Sequence, residues 1–212
     1  MEVMEFFEQS AGKWRSRRST HHLPFRRAET GASEIEVKTL AADSRRVVEI
    51  CELHQVDPSL AAGGALVSWE GTMAWDKTDE NHTDSTVMVL VPDRSADGPK
   101  NRDNPRAGQL LREKGYAEIV PVAGRYLMDD ADGLILLTEY ETMSSQERFS
   151  FINPDLRMRT SAVKRFGGFS TASLCVETRI GSDLDVYSSK EITPQQVEDA
   201  REPRQYYSVW GW

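Results

Sequence analysis

Hydrophobic and polar positions along this chain mostly alternate with a period of two, and only a few stretches show the wider spacing of a helix. Residues 2–11 predict a short amphipathic helix, with Met4, Phe7 and Ala11 on one side and Gly12 to end it. The chain then alternates. Trp14, Ser16, Arg18, Thr20 and His22 share one face of a strand, and Arg15, Arg17, Ser19 and His21 share the other. Residues 34–40 alternate again. Residues 42–56 change period: Val47, Ile50, Cys51 and His54 recur at helical spacing, Asp43 or Ser44 caps the start, and Pro58 follows the end. Residues 65–75 predict a strand in which Gly71 marks a bulge or bend.

Beyond it, residues 76–84 read as a polar hairpin tip and 85–91 as a buried strand. Residues 92–105, with three prolines, read as a long loop. A short helix is expected over 107–114, stopped by Gly115. Strands then crowd together at 117–128, 133–141, 145–152, 156–163 and 168–180, with turn signals at Asp132-Gly133 and Gly167-Gly168. Residues 184–191 are ambiguous, 193–201 predict a helix with Pro194 at its first position, and the aromatic tail 206–212 predicts one more strand. Up to eleven short strands behind one N-terminal helix predict an all-β fold, an antiparallel barrel closed on itself, with an open sandwich as the alternative. Closure removes exposed edges and leaves an interior able to hold one small ligand.

Composition narrows this picture. A chain of 212 residues fits a single domain, 1–212, and 39% hydrophobic residues are enough for a core. A net charge of −8 argues against a nucleic-acid partner. No apolar run approaches the ~20 residues needed to span a bilayer. The acidic start of the chain predicts no signal peptide. Two cysteines, Cys51 and Cys175, are too few for a disulfide framework or a CxxC metal site, so a reducing cytosol is expected.

The densest chemistry lies at 147–161. Two alternating runs are joined by Asn153-Pro154-Asp155, a turn signal. Glu147, Phe149 and Phe151 share a face of the first run, and Arg157, Arg159 and Ser161 share a face of the second. Across a hairpin these bring a carboxylate, phenyl rings and guanidiniums together, a surface suited to a flat, conjugated, acid-bearing ligand.

Several segments together resemble a known family: Phe6-Phe7 with Gly12-Lys-Trp-Arg-Ser, Arg18-Ser-Thr-His-His, Trp69-Glu-Gly-Thr-Met-Ala-Trp75, Glu147-Arg-Phe with Asn153-Pro-Asp-Leu-Arg-Met-Arg-Thr-Ser161, and Phe169-Ser-Thr-Ala-Ser with Glu177. In order and over residues 6–180, these are similar to phycobiliprotein chromophore lyases of the S/U type. Ser150 departs from the pattern, which has a bulky aromatic there, and is expected to reshape the pocket wall.

The resemblance implies a barrel like those of lipocalins and fatty-acid-binding proteins, of about ten strands. It implies an enzyme of the cyanobacterial cytosol that binds a free phycobilin, phycocyanobilin for choice, and joins it by a thioether to a cysteine of an apo-phycobiliprotein subunit. It implies no metal and no prosthetic group. It also assigns roles: Arg18, Arg157 and Arg159 to the propionates, Glu147 and Glu177 to the pyrrole N–H groups and to keeping the tetrapyrrole protonated, and Phe149, Ser161, Trp75 and one of the adjacent histidines, His21, to ligand contact. Trp69 is expected in the core and Trp14 as the barrel plug. The acceptor thiol belongs to the partner, so Cys51 and Cys175 are expected to be inert. A homodimer is open. Residues 92–105 and the N-terminal helix are the expected partner surfaces by position. The bland alternatives are solvated strand arginines and a surface salt bridge at Glu147. A passive bilin or lipid carrier and a phycobilisome linker are the competing functions.

Overall fold

A computed structural model describes residues 1–73, 82–94, 103–113, 121–139, 142–165 and 167–185. Helix α1 (Val3–Ser10) is followed by β1 (Gly12–His22), β2 (Arg27–Leu40) and α2 (Arg45–Leu53). Then come β3 (Gly63–Met73), β4 (His82–Arg94), β5 (Asp103–Arg112), β6 (Val122–Met128) and β7 (Leu134–Glu139). The described part ends with β8 (Met143–Asn153), β9 (Leu156–Arg165) and β10 (Ser170–Arg179). Each strand pairs antiparallel with its neighbour in sequence, and β1 pairs with β10 to close the barrel. The expected closed antiparallel barrel is therefore what forms.

Helix α1 closes one end. Its start is a capping box in which the Glu2 backbone N–H donates to the Glu5 carboxylate at 2.7 Å. Its buried side chains, Val3, Phe6 and Phe7, join Trp14, Leu90, Leu110, Met128 and Leu134 in the core. Each such burial stabilises the fold by roughly 1.5–3 kcal/mol. The Trp14 indole N–H donates to the Ser10 carbonyl at 2.8 Å, tying the plug to β1. Helix α1 buries Val3, Phe6, Phe7 and Ser10 in sealing the barrel and leaves Glu5 and Glu8 exposed on its outer face.

Helix α2 lies on the outside. Val47, Ile50 and Cys51 pack on Val87, Val89, Val91 and Leu111, while Met88, Leu90 and Leu110 point into the barrel. Both faces of β4 are thus covered, which explains its unbroken apolar sequence. The same double burial corrects one expectation: residues 107–112 form part of strand β5, not a helix, because Leu110 faces inward and Leu111 faces α2. Of the loop expected at 92–105, residues 92–94 belong to β4 and 103–105 to β5, and 95–102 lie outside the described residues.

Gly71 makes no bulge. It sits in regular register between Ser33 and His82, and a Cβ there would stand 2.6 Å from the Ala32 carbonyl oxygen, so glycine permits close strand approach. The register shifts lie instead at Pro92/Asp93 and Phe151/Asn153. Strand β2 begins earlier than expected, at Arg27, because its first half carries no apolar signal. Of the tip expected at 76–84, residues 82–84 belong to β4 and the rest lie outside the described residues, as do the stop at Gly115, the helix at 193–201 and the tail strand.

Candidate functional site

The inner wall formed by β8, β9, β10 and β1 carries the charge. Register brings Glu147 opposite Ser161, Phe149 opposite Arg159 and Phe151 opposite Arg157. The next pairs across are Arg157 with Glu177 and Arg159 with Cys175, then Glu177 with Ser16 and Cys175 with Arg18. The hairpin turn forms as its sequence predicts: the Asp155 N–H donates to the Asn153 side-chain carbonyl at 2.9 Å.

Glu177 is the centre of this wall and is fully buried. Arg157 donates to its Oε2 from Nε at 2.7 Å and approaches the same oxygen with Nη2 at 2.6 Å. Its Oε1 lies 3.4 Å from Arg159 Nε and accepts from the Ser16 hydroxyl at 3.4 Å. Burial pushes the Glu177 carboxyl up, but the charges of Arg157 and Arg159 outweigh it and hold the group below the ordinary glutamate range, ionised. Arg157, only 4% exposed, lies over the Trp14 ring at 4.7 Å and the Phe149 ring at 5.6 Å. Arg159 extends the cluster, standing 3.6 Å from Glu147 and 5.6 Å from the Phe149 centroid.

This wall faces a cavity of ≈ 430 Å³, inside the ~300–1,000 Å³ range of small-molecule sites. The cavity runs from Phe6, Phe7 and Ser10 at the plugged end to Arg18, Gly31 and Gly71 toward the other. Trp69, Val67 and Met88 form its apolar side. Two hydroxyls in its lining, Ser10 Oγ and Thr86 Oγ1, are buried with no hydrogen-bond partner among the described residues. An orphaned buried hydroxyl is costly, so both mark positions where a ligand or water supplies the missing bond.

Of the residues singled out from sequence, Arg18, Arg157, Arg159, Glu177 and Phe149 line the cavity. Glu147 is buried and reaches the cluster through Arg159, while Ser161 is half-buried opposite it; neither lines the cavity. Trp75 lies outside the described residues. His21 is a correction: the phase set by Trp14, Ser16 and Thr20 turns it outward, exposed, with its ring 3.3 Å from the Ser19 hydroxyl. His22 has the inward phase but pairs with Glu29 at 3.0 Å and does not line the cavity. Ser150 also points outward, beside Met158 and between the inward Phe149 and Phe151, so it does not reshape the pocket.

Cys51 is buried under α2, and burial, with Asp57 and Glu52 adding to it, pushes its thiol up, as expected of an inert group. Cys175 has a basic neighbour that its own strand conceals: Arg159 Nη2 donates to its sulfur at 3.4 Å from β9. Sequence reasoning missed Ser16, Ser10 and Thr86. Ser16 had a signal, two positions before Arg18 on the same face; the other two look like any small polar residue.

A closed antiparallel barrel with a plug helix and an ion-lined cavity defines a ligand-binding protein of the lipocalin-like kind. A family model described as CpeS-like protein matches residues 2–180. The chain is 57% identical over its whole length to "Chromophore lyase CpcS/CpeS 2" of Trichodesmium erythraeum, covering all of that protein. It is 55% identical to "Phycocyanobilin lyase subunit CpcS" of a Picosynechococcus species, covering 100% of this chain and 98% of that one. Among solved structures, the S-type phycobiliprotein lyase CPES from Guillardia theta superposes with a TM-score of 0.73 at 36% identity, over 86% of this chain and 95% of that one. The chain belongs to the CpeS-like family of chromophore lyases.

Proposed function

We propose that this lyase takes free phycocyanobilin into the barrel and presents it to a cysteine of an apo-phycobiliprotein subunit. The observation that carries the reading is the buried cluster of Glu177, Arg157 and Arg159 on a cavity wall. Three guanidiniums, those of Arg18, Arg157 and Arg159, line the cavity, the donors that suit a ligand bearing two propionates. Arg18 and Arg159 hold the propionates. Arg157, locked to Glu177 and stacked on Trp14, keeps the carboxylate in place.

Glu177 accepts hydrogen bonds from pyrrole N–H groups and favours the protonated tetrapyrrole, while Glu147, behind Arg159, holds that guanidinium in place. Protonation draws electron density from the ring A ethylidene. The acceptor thiol adds there: its S–H bond breaks, a C–S bond forms, the exocyclic double bond is lost, and the proton ends on the tetrapyrrole. Nothing leaves and no oxidant is needed. The rate gain comes from holding the ethylidene carbon in line with an incoming thiol. Ser10 and Thr86 give the terminal lactam at the other end of the pigment its hydrogen bonds, which orients ring A toward the end opposite α1.

The test is an absorbance titration with phycocyanobilin, followed by mixing with an apo-phycobiliprotein β subunit and detection of a zinc-fluorescent covalent adduct. The wild type gives both colour and adduct; Glu147→Gln and Arg159→Ala weaken colour and transfer. Colour without adduct on a competent acceptor assigns the chain to carriage alone. If both variants match the wild type, these residues are not the site.

A further inference from the structure

The end of the barrel opposite α1 carries a surface that the pigment site does not use. The β1–β2 connection is a one-turn helix, Leu23–Phe25, stiffened by Pro24 and ended by Arg26 at φ 50°. Phe25 stacks on Phe169, in the β9–β10 connection, with centroids 5.7 Å apart and planes 22° from parallel. Both rings are open to solvent, 60% and 48% exposed, and Leu23 is 57% exposed. Arg26, Arg27, Lys164 and Arg165 stand exposed on the same two connections and their flanks, and make no ion pair among the described residues.

A stacked aromatic pair with four exposed cations on the same two connections is a local reversal of sign on a chain of net charge −8. A core of that kind needs only ordinary turn residues at these connections, so packing does not explain it. Clustered exposed aromatics beside arginine are the composition of a binding surface, not of a solvated rim.

We propose that this rim is where the acceptor protein docks during transfer, through an acidic surface around an apolar hollow that receives Phe25 and Phe169. The proposal rests on the lyase reading above. With α1 sealing the other end, the reacting end of the pigment leaves past this rim, and forming a C–S bond requires the acceptor to touch it. The four cations select an acidic partner and speed encounter with it.

Two variants of the full chain test this, Phe25→Ala/Phe169→Ala and Arg26→Glu/Arg27→Glu. All four positions are exposed, so the fold is retained. Phycocyanobilin absorbance is expected to match the wild type, while the acceptor concentration giving half-maximal transfer rises about tenfold or more in each variant. The rate at saturating acceptor is expected to stay unchanged. Raising salt raises the wild-type value and leaves the charge-reversed variant nearly flat.

Unchanged acceptor dependence in both variants overturns the proposal. So does co-sedimentation of the wild type, but not the charge-reversed variant, with phosphatidylglycerol vesicles while acceptor dependence is unaltered; the rim then meets a membrane. A wild type that neither colours nor transfers refutes the lyase reading instead. In that event direct titration of the apo subunit by sedimentation velocity, wild type against both variants, still decides the docking surface.

Discussion

Replacing Glu177 by glutamine keeps the side chain's shape and removes its charge. The consequence is large because Glu177 has no exposed surface and both its oxygens are engaged, by Arg157 at 2.6–2.7 Å, Arg159 at 3.4 Å and Ser16 at 3.4 Å. Arg157 is left a cation inside the barrel without its counter-ion, and breaking such a pair costs about 3–5 kcal/mol. That is a large fraction of the roughly 5–15 kcal/mol by which a domain is stable. At roughly 2–4 °C per kcal/mol for a chain of this size, Glu177→Gln lowers the melting temperature by roughly 6–20 °C.

The double variant Arg157→Met/Glu177→Leu removes both charges and recovers most of that loss, because apolar replacement of a whole buried pair is close to neutral. It folds and yet fails to shift phycocyanobilin absorbance. The carboxyl titrates below its unfolded value of about 4.3. Its contribution is therefore complete above that pH and lost as pH falls through the lower folded value. Wild-type stability drops on acidification in this window, and Glu177→Gln lacks that component. Urea unfolding at neutral pH and through the acid range reads all three effects. A Glu177→Gln protein within about 1 kcal/mol of wild type, with the same acid limb, refutes the reasoning.

Three further outcomes are expected. Gly108→Ala drives a Cβ into the Val91 carbonyl and to 2.7 Å from the Tyr126 ring, destabilising by about 3 kcal/mol or leaving the chain unfolded; near-wild-type thermal unfolding contradicts this. Ser10→Ala and Thr86→Val remove orphaned hydroxyls, so each leaves the free protein as stable or more stable while weakening phycocyanobilin binding by about tenfold, read by paired melting and absorbance titrations. Cys175→Ala still transfers pigment, with the mass adduct on the acceptor peptide; loss of transfer with colour retained makes this thiol a participant.

The barrel was legible because its strands alternate cleanly and its turns carry Asn-Pro-Asp, Asp-Gly and Gly-Gly. The two faces of the inner wall were legible for the same reason, but the pairing across the hairpin was not: Phe149 meets Arg159 only through the register shift at Phe151/Asn153, which no residue there announces. What the sequence hid was tertiary. Leu110-Leu111 looks helical until α2 covers one side of β5 and the core the other. His21 and His22 differ only in phase, and that phase was set by the burial of Trp14 and Ser16, not by anything in the histidines themselves. Arg159 donates to Cys175 across two strands sixteen residues apart in the chain, a proximity invisible to any local window. Ser10 and Thr86 acquire meaning only as walls of a shared space.

The circle of strands has one seam between the two ends of the chain, where β1 meets β10. Every other strand pair joins sequence neighbours, so the first and last strands are the natural final stitch in folding. Ser16 and Arg18 lie on one side of that stitch, Glu177 on the other, with Arg157 and Arg159 one strand beyond. Pigment gripping these residues fastens the garment it is carried in. Amide exchange at β1 and β10 should therefore slow on pigment uptake more than at β4 and β5, where α2 already holds the cloth.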